Sequence, residues 1–187
     1  MTTEVMARNA AHGEAIEPGA IRFVRLLPGP IERVWAFLTE SDKRERWLAS
    51  GAMEARVGAD FSLTFRHRQL SPDPQPTPER FKKYDAGHTS HHRITRFEPP
   101  HLLAFTWGSG GEEPSEVTFE LSEAGSEVRL VLTHRRIVAR DVLLGVSRGW
   151  HAHLAVLVER LNGRELPSFW QLFDSLEGDY AKRLSDG

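Results

Sequence analysis

The sequence predicts an α+β fold: a curved antiparallel sheet wrapped around a long C-terminal helix, with two short helices after the first strand. Three observations carry this. In four segments apolar and polar residues alternate: Phe61, Leu63 and Phe65; Leu103, Phe105 and Trp107; Val117, Phe119 and Leu121; Val128, Leu130 and Leu132. A period of two marks strands with one buried face. Over 141–163 the period changes, and Leu143, Val146, Trp150, Leu154, Leu157 and Leu161 recur at spacings of three and four. That spacing lays one apolar stripe along a helix of about 30 Å, long enough to cross a sheet. Close turn signals between the strands (Glu98-Pro99-Pro100, Gly108 to Gly111, Ala124-Gly125) favour hairpins over parallel crossovers.

Taken in order, residues 1–19 show no periodicity and end in Pro18-Gly19, so a structureless lead is expected before a domain spanning 20–163. IRFVRLL (21–27) reads as a first strand, closed by Pro28-Gly29-Pro30. Pro30 suits the first position of a helix over 30–39, whose stripe is Ile31, Val34, Trp35 and Leu38. Ser41 can cap a second short helix ending near Trp47-Leu48. Strands are then expected near 52–57, 60–67, 88–97, 101–107, 115–122 and 126–134. Four prolines at every second position from Pro72 to Pro78 cannot join a central strand, so 69–87 is expected to be a long exposed loop. The long helix is expected over 142–162, with Asp141 as N-cap and Gly163 as the left-handed residue after its end. In the tail, 164–187, Ser168 and Gln171 stand as a capping box, and Phe169, Phe173, Leu176, Tyr180 and Leu184 continue a helical stripe. Gly178 weakens that helix by ~1 kcal/mol relative to alanine. A helix this short needs packing, so it should dock on its own domain.

Composition excludes several function classes. Lys plus Arg (24) nearly balance Asp plus Glu (26), for a net charge of −2. No footprint for nucleic acid or an anionic membrane follows. Cysteine is absent, which removes disulfides, thiol nucleophiles and thiolate-ligated metals. No apolar run is long enough to span a bilayer, and residues 1–20 lack the apolar core of a signal peptide. A cytoplasmic protein is the expectation.

Four stretches then carry a resemblance: IRFVRLLPGPIERVWAFLTESDKRERWL, RITRFEPPHLLAFTW, SEVTFELSEAGSEVRLVLTH and GWHAHLAVLVERL. In this order, over roughly residues 20–162, they resemble the START-like (SRPBCC) helix-grip superfamily, which includes the pollen-allergen-type proteins. Within it they look like the branch homologous to the C-terminal domain of the activator of heat-shock protein ninety ATPase. The specific marks are the Pro-initiated helix with Val34-Trp35, the Pro99-Pro100 link, Thr133-His134 and Gly149-Trp150. The resemblance implies a β-α-α-β-β-β-β-β-β-α order with a cavity between sheet and last helix. Relatives include lipid carriers, plant-hormone binders, aromatase/cyclases and the co-chaperone itself, so fold alone does not select a function. The co-chaperone has a separate N-terminal domain where this chain has about twenty polar residues, and a full chaperone-activating role is not expected.

Catalytic signals are weak against this frame. Gly145-Val146-Ser147-Arg148-Gly149 spells a G-x-S-x-G nucleophile elbow, but that motif needs a strand entering a strained turn, and these residues lie within a helical stripe. Nine histidines suggest metal, yet His88 and His92 lie about 13 Å apart along one strand at ~3.3 Å per residue. His91 points opposite to His92, and His151 and His153 diverge on the helix. No metal, cofactor or catalytic residue is therefore assigned. Alternation turns His67 and His134 inward, where an imidazole either orients a polar ligand group or simply bonds the fold. With them, Trp35, Trp47, Phe61, Phe65, Trp107, Phe119, Trp150 and Leu154 form the expected lining of a cavity. Arg25, Arg66 and Arg68 could meet an anion at its rim, but Arg66 and Arg68 fall on the outer face. The leading expectation is a noncatalytic binder of a small hydrophobic or amphipathic ligand. The alternatives are a protein-interaction module making a chaperone contact, a homodimer contact through Phe169 or Trp170, and a cyclase- or hydrolase-type enzyme.

Overall fold

The computed structural model describes residues 3–72, 76–108 and 114–184. Its elements run α1 (Thr3–Asn9), β1 (Glu14–Glu17), β2 (Ala20–Pro28), α2 (Ile31–Thr39), α3 (Ser41–Arg44), β3 (Asp60–Phe65), β4 (His88–Glu98), β5 (Leu102–Trp107), β6 (Ser115–Ala124), β7 (Glu127–Arg135), α4 (Arg140–Leu161), α5 (Phe169–Ser175) and α6 (Glu177–Arg183). The strands form one curved antiparallel sheet in the order β1-β2-β7-β6-β5-β4-β3. Alternation decides its faces. Ile21, Phe23 and Leu27 of β2, Phe61, Leu63 and Phe65 of β3, Val117, Phe119 and Leu121 of β6, and Leu130 and Leu132 of β7 are all buried in one core.

The grip helix α4 lies over that core. Of the expected stripe, Trp150, Leu154, Leu157 and Leu161 are buried, while Leu143 and Val146 are half-buried. Its end is a Schellman motif: Gly163 has φ +72°, the Gly163 N–H donates to Arg160 O (3.1 Å), and the Arg164 N–H donates to Glu159 O (2.8 Å). The opposite side of α4 is covered as well. Arg148 donates from Nε to Phe173 O (3.1 Å) and lies 4.2 Å over the Phe173 ring, while its Nη atoms pair with Asp174 (3.3 Å) and Glu177 (3.1 Å). The tail therefore docks on its own domain, with Phe169, Trp170, Phe173, Leu176 and Tyr180 buried. It forms two short helices that break at Leu176, and Ser168 Oγ accepts from Gln171 N (3.2 Å), the serine half of the expected capping box.

Several expectations are corrected. No strand forms at 52–57; the segment is tied to the sheet at its two ends, by the bridge Ser50↔Thr64 and by the Gly58 N–H, which donates to Ile94 O (2.8 Å). A Cβ on Gly51 (φ +143°) would lie 1.9 Å from Ser62 O, so only glycine permits this approach. Residues 3–19 are not structureless. α1 packs beside β2, and β1 adds an edge strand paired with it. The N-cap of α4 is Ala139 rather than Asp141, which sits in the first turn, and Pro30 is the N-cap of α2 rather than its first residue. Glu40 is the N-cap of α3; Ser41 Oγ instead accepts from Gly51 N (2.8 Å). The loop over 69–87 is only partly exposed. Leu70 and Thr77 are buried, two 3₁₀ turns form at His67–Gln69 and Glu79–Tyr84, and Arg80 reaches Asp174 and Glu177 of the tail. The turn expected between Gly108 and Gly111 lies mostly outside the described residues.

Candidate functional site

A cavity of about 330 Å³ opens between β3, β4 and β5 on one side and the N-terminal half of α4 on the other. α4 contributes Gly145, Val146, Gly149, Trp150 and His153, positions at 0, 1, 4, 5 and 8 along one helical face. The sheet contributes Phe65, Ser90 and Trp107. Phe81 and Tyr84 come from the second 3₁₀ turn, His67 and His88 from the segments flanking the loop, and Leu48 and Gly108 complete the lining. A Cβ added at Gly145 or Gly149 would meet nothing within 4 Å. These two glycines, four residues apart, Gly145 exposed and Gly149 half-buried, leave that stretch of the cavity's edge without side chains.

The loop wall is held from behind by the tail. Phe81 stacks on Trp170 (5.3 Å between centroids, 18° between planes) and meets Phe173 edge-on at 5.4 Å. Phe169 lies 5.2 Å from His67 and 4.9 Å from His153. The α2–α3 turn fixes the other end. Arg44 donates to the carbonyls of Leu38 (3.2 Å), Thr39 (2.9 Å) and Gly51, and Trp47 Nε1 donates to Phe37 O (2.7 Å). The Trp47 carbonyl, so placed, accepts from His153 Nδ1 at 2.7 Å. Burial lowers the His153 pKa to about 3 and that of His67 to about 4, so both rings are neutral at physiological pH.

Of the ten residues expected at the cavity, Phe65, His67, Trp107 and Trp150 line it. His67 arrives by another route: β3 ends at Phe65, and a 3₁₀ turn carries His67 to the wall. Trp47, Phe61, Phe119 and Leu154 are buried in the core instead, because neighbouring rings fill the space in front of them; Phe119, for example, is 5.8 Å from Trp150 and 6.3 Å from Trp47. Trp35 is half-buried against Phe97 (5.4 Å), away from the cavity. Arg25 is buried rather than at a rim. Its guanidinium donates to Val24 O (2.8 Å) beside the Phe23 ring, and burial lowers its pKa to about 10. His153, Ser90, Phe81 and Tyr84 escaped sequence reasoning. His153 lies outside the apolar stripe, Ser90 on an irregular strand, and the two aromatics inside a proline-rich loop. Only the paired helical glycines left a readable signal.

Among the described residues no three His, Asp or Glu side chains converge to hold a metal ion. His91 meets Ser62 Oγ (2.9 Å) on the exposed side, while His92 turns inward and donates from Nδ1 to Thr106 O (2.8 Å). No helix among the described residues is long and apolar enough to cross a membrane.

The family model for Activator of Hsp90 ATPase homolog 1-like protein matches residues 28–162. The chain belongs to this family. A Bordetella parapertussis protein solved by NMR in solution is 51% identical, with a TM-score of 0.79 over 92% of this chain and 90% of the other. CalU16 from Micromonospora echinospora (23% identity, TM-score 0.66, 93% and 95% covered) and a protein of unknown function from Enterococcus faecalis (18%, 0.69, 98% and 96%) share the fold. Among curated proteins, none matches the chain. In this member of the Hsp90-activator-like family, the sequence pairs Thr133-His134 and Gly149-Trp150 meet in space. Trp150 Nε1 donates to His134 Nδ1 (3.0 Å), so the ring proton sits on Nε2, which donates to Ser115 Oγ (2.9 Å); Ser115 in turn donates to Trp107 O (2.9 Å). Both nitrogens of His134 are committed, and burial lowers its pKa to about 3. Ser147 is buried and donates to Leu143 O (2.6 Å), one turn back in its own helix. Neither side chain is free for catalysis.

Proposed function

We propose that this chain is a noncatalytic helix-grip domain that binds a small apolar or amphipathic molecule in the cavity between sheet and α4. Family membership supports a ligand-binding or interaction domain in general terms. The observation that carries the finer reading is the pair Gly145 and Gly149. A glycine inside a helix costs about 0.5–1 kcal/mol relative to alanine. Both stand where a side chain would meet no clash, facing a volume walled by Phe65, Trp107 and Trp150. Helix stability is thus given up where it keeps a void open, and the void's size and mainly aromatic lining suit a small ligand. The homodimer alternative has less support, since Phe169 and Trp170 are buried within the chain.

The test is Gly149→Leu, paired with Gly149→Ala. Alanine should raise stability by about 0.5–1 kcal/mol through helix propensity alone. Leucine should fold, fill the cavity and lose any small molecule seen on the gently purified wild type by native mass spectrometry. A leucine variant that retains the same bound mass would overturn the proposal.

A further inference from the structure

We infer that the cavity selects a neutral, flat molecule carrying a hydrogen-bond donor, and that His153 Nε2 accepts that donor. The inference rests on the reading that the cavity holds a small molecule, and adds its chemical class. Among the described residues lining the cavity His153 is the one buried polar residue, His67, Tyr84 and Ser90 being half-buried and His88 exposed. Its Nδ1 faces the Trp47 carbonyl, which can only accept, so the ring proton is on Nδ1 and Nε2 keeps a lone pair. No hydrogen bond from the described residues reaches Nε2, and the ring is held by Phe65 (6.3 Å), His67 (5.3 Å) and Phe169 (4.9 Å).

Ser90, on the sheet wall of the same cavity, is similar. His92 Nδ1 donates to Thr106 O, so His92 Nε2 is an acceptor and takes the Ser90 hydroxyl proton at 2.6 Å. Ser90 Oγ is then left with lone pairs for the cavity. The fold has consumed the donor hydrogens of both groups. No Asp, Glu, Lys or Arg lines the cavity among the described residues. Among the described residues an anion would find no Lys or Arg and an ammonium no carboxylate, and buried charges without a counter-ion are tolerated poorly. Aromatic walls from Phe65, Phe81, Trp107 and Trp150 suit a flat apolar body.

Four probes of one shape test this in the full chain: 2-naphthol, 2-fluoronaphthalene, 2-naphthoate and 2-naphthylmethylamine, titrated by calorimetry at neutral pH. Naphthol should bind five- to tenfold more tightly than the fluoro analogue, the worth of one hydrogen bond, and both charged probes more weakly still. In His153→Phe the naphthol advantage should vanish while the fluoro analogue keeps its affinity. Should that variant fail to fold, ¹⁵N spectra of the wild-type histidines decide: naphthol, and not the fluoro analogue, should shift the unprotonated Nε2 resonance of His153. Equal binding of naphthol and the fluoro analogue, or tighter binding of either charged probe, overturns the inference while leaving the cavity reading intact. If no probe binds, the cavity reading itself fails, and the inference with it.

Discussion

Trp150 shows how one residue joins core and wall. It is buried, packs 4.9 Å from Trp107 and 5.8 Å from Phe119, and donates its only N–H to His134. Truncating it removes a large side chain from a close-packed site, so Trp150→Ala should cost about 3–5 kcal/mol. Trp150→Phe keeps most of the volume but leaves His134 Nδ1 without its donor, a loss of about 1–3 kcal/mol. Denaturant unfolding should rank the two in that order. A phenylalanine variant as stable as wild type would show that the Trp150–His134 bond contributes nothing.

At the scale of elements, the tail is a structural layer that ties distant parts of the chain together. Tyr180 Oη accepts from the Gly13 N–H (2.8 Å) and donates to His151 Nδ1 (3.0 Å), joining α6, the segment before β1, and α4. Burial raises the Tyr180 pKa to about 12, so it keeps its proton across the neutral range. Tyr180→Phe should cost about 1–3 kcal/mol, because two buried groups lose one partner together. The same variant should speed amide exchange at Gly13 and in β1 while leaving β5 and β6 unchanged, since β1 is an edge strand whose sheet pairing among the described residues is with β2 alone. Uniform exchange across the chain would place the tail's contribution elsewhere. Beside it, the carboxylates of Asp174 and Glu177 are shared between Arg80 of the loop and Arg148 of α4. One contact set thus anchors both the tail and the loop wall of the cavity.

The whole molecule should respond to acid through its buried histidines. Burial depresses His134, His151 and His153 to about 3 and His67 to about 4, and it lowers His92 as well. In the unfolded chain these rings titrate near 6.5. Between those limits the unfolded state binds protons that the native state refuses, so stability falls as pH falls. It should be flat above about pH 7 and drop below about 6.5, by up to about 1.4 kcal/mol per pH unit for each fully depressed ring. Melting temperature from pH 8 to 4 tests this. A curve that stays level to pH 5 would show that these rings are hydrated in solution.

Periodicity alone determined the secondary elements that bury a face: the strands with alternating residues, the long helix with its stripe and terminal glycine, and the docking of the tail. Such patterns are readable because a one-sided element must repeat its apolar residues in step with its backbone geometry. The segment at 52–57 was misread because it carries no alternation of its own, and residues 3–17 because a short helix and an edge strand need little apolar sequence when Tyr180 and β2 supply their partners. Only the tertiary structure decided which inward aromatics face empty space. Phe119 and Trp107 look alike along their strands, yet rings enclose the first while the second also borders a void, because the void lies opposite Gly145 and Gly149 of an element distant in sequence. The same holds for His153. Its role depends on a carbonyl at Trp47, 106 residues back, and a hydrogen-bond partner that distant leaves no trace in local sequence.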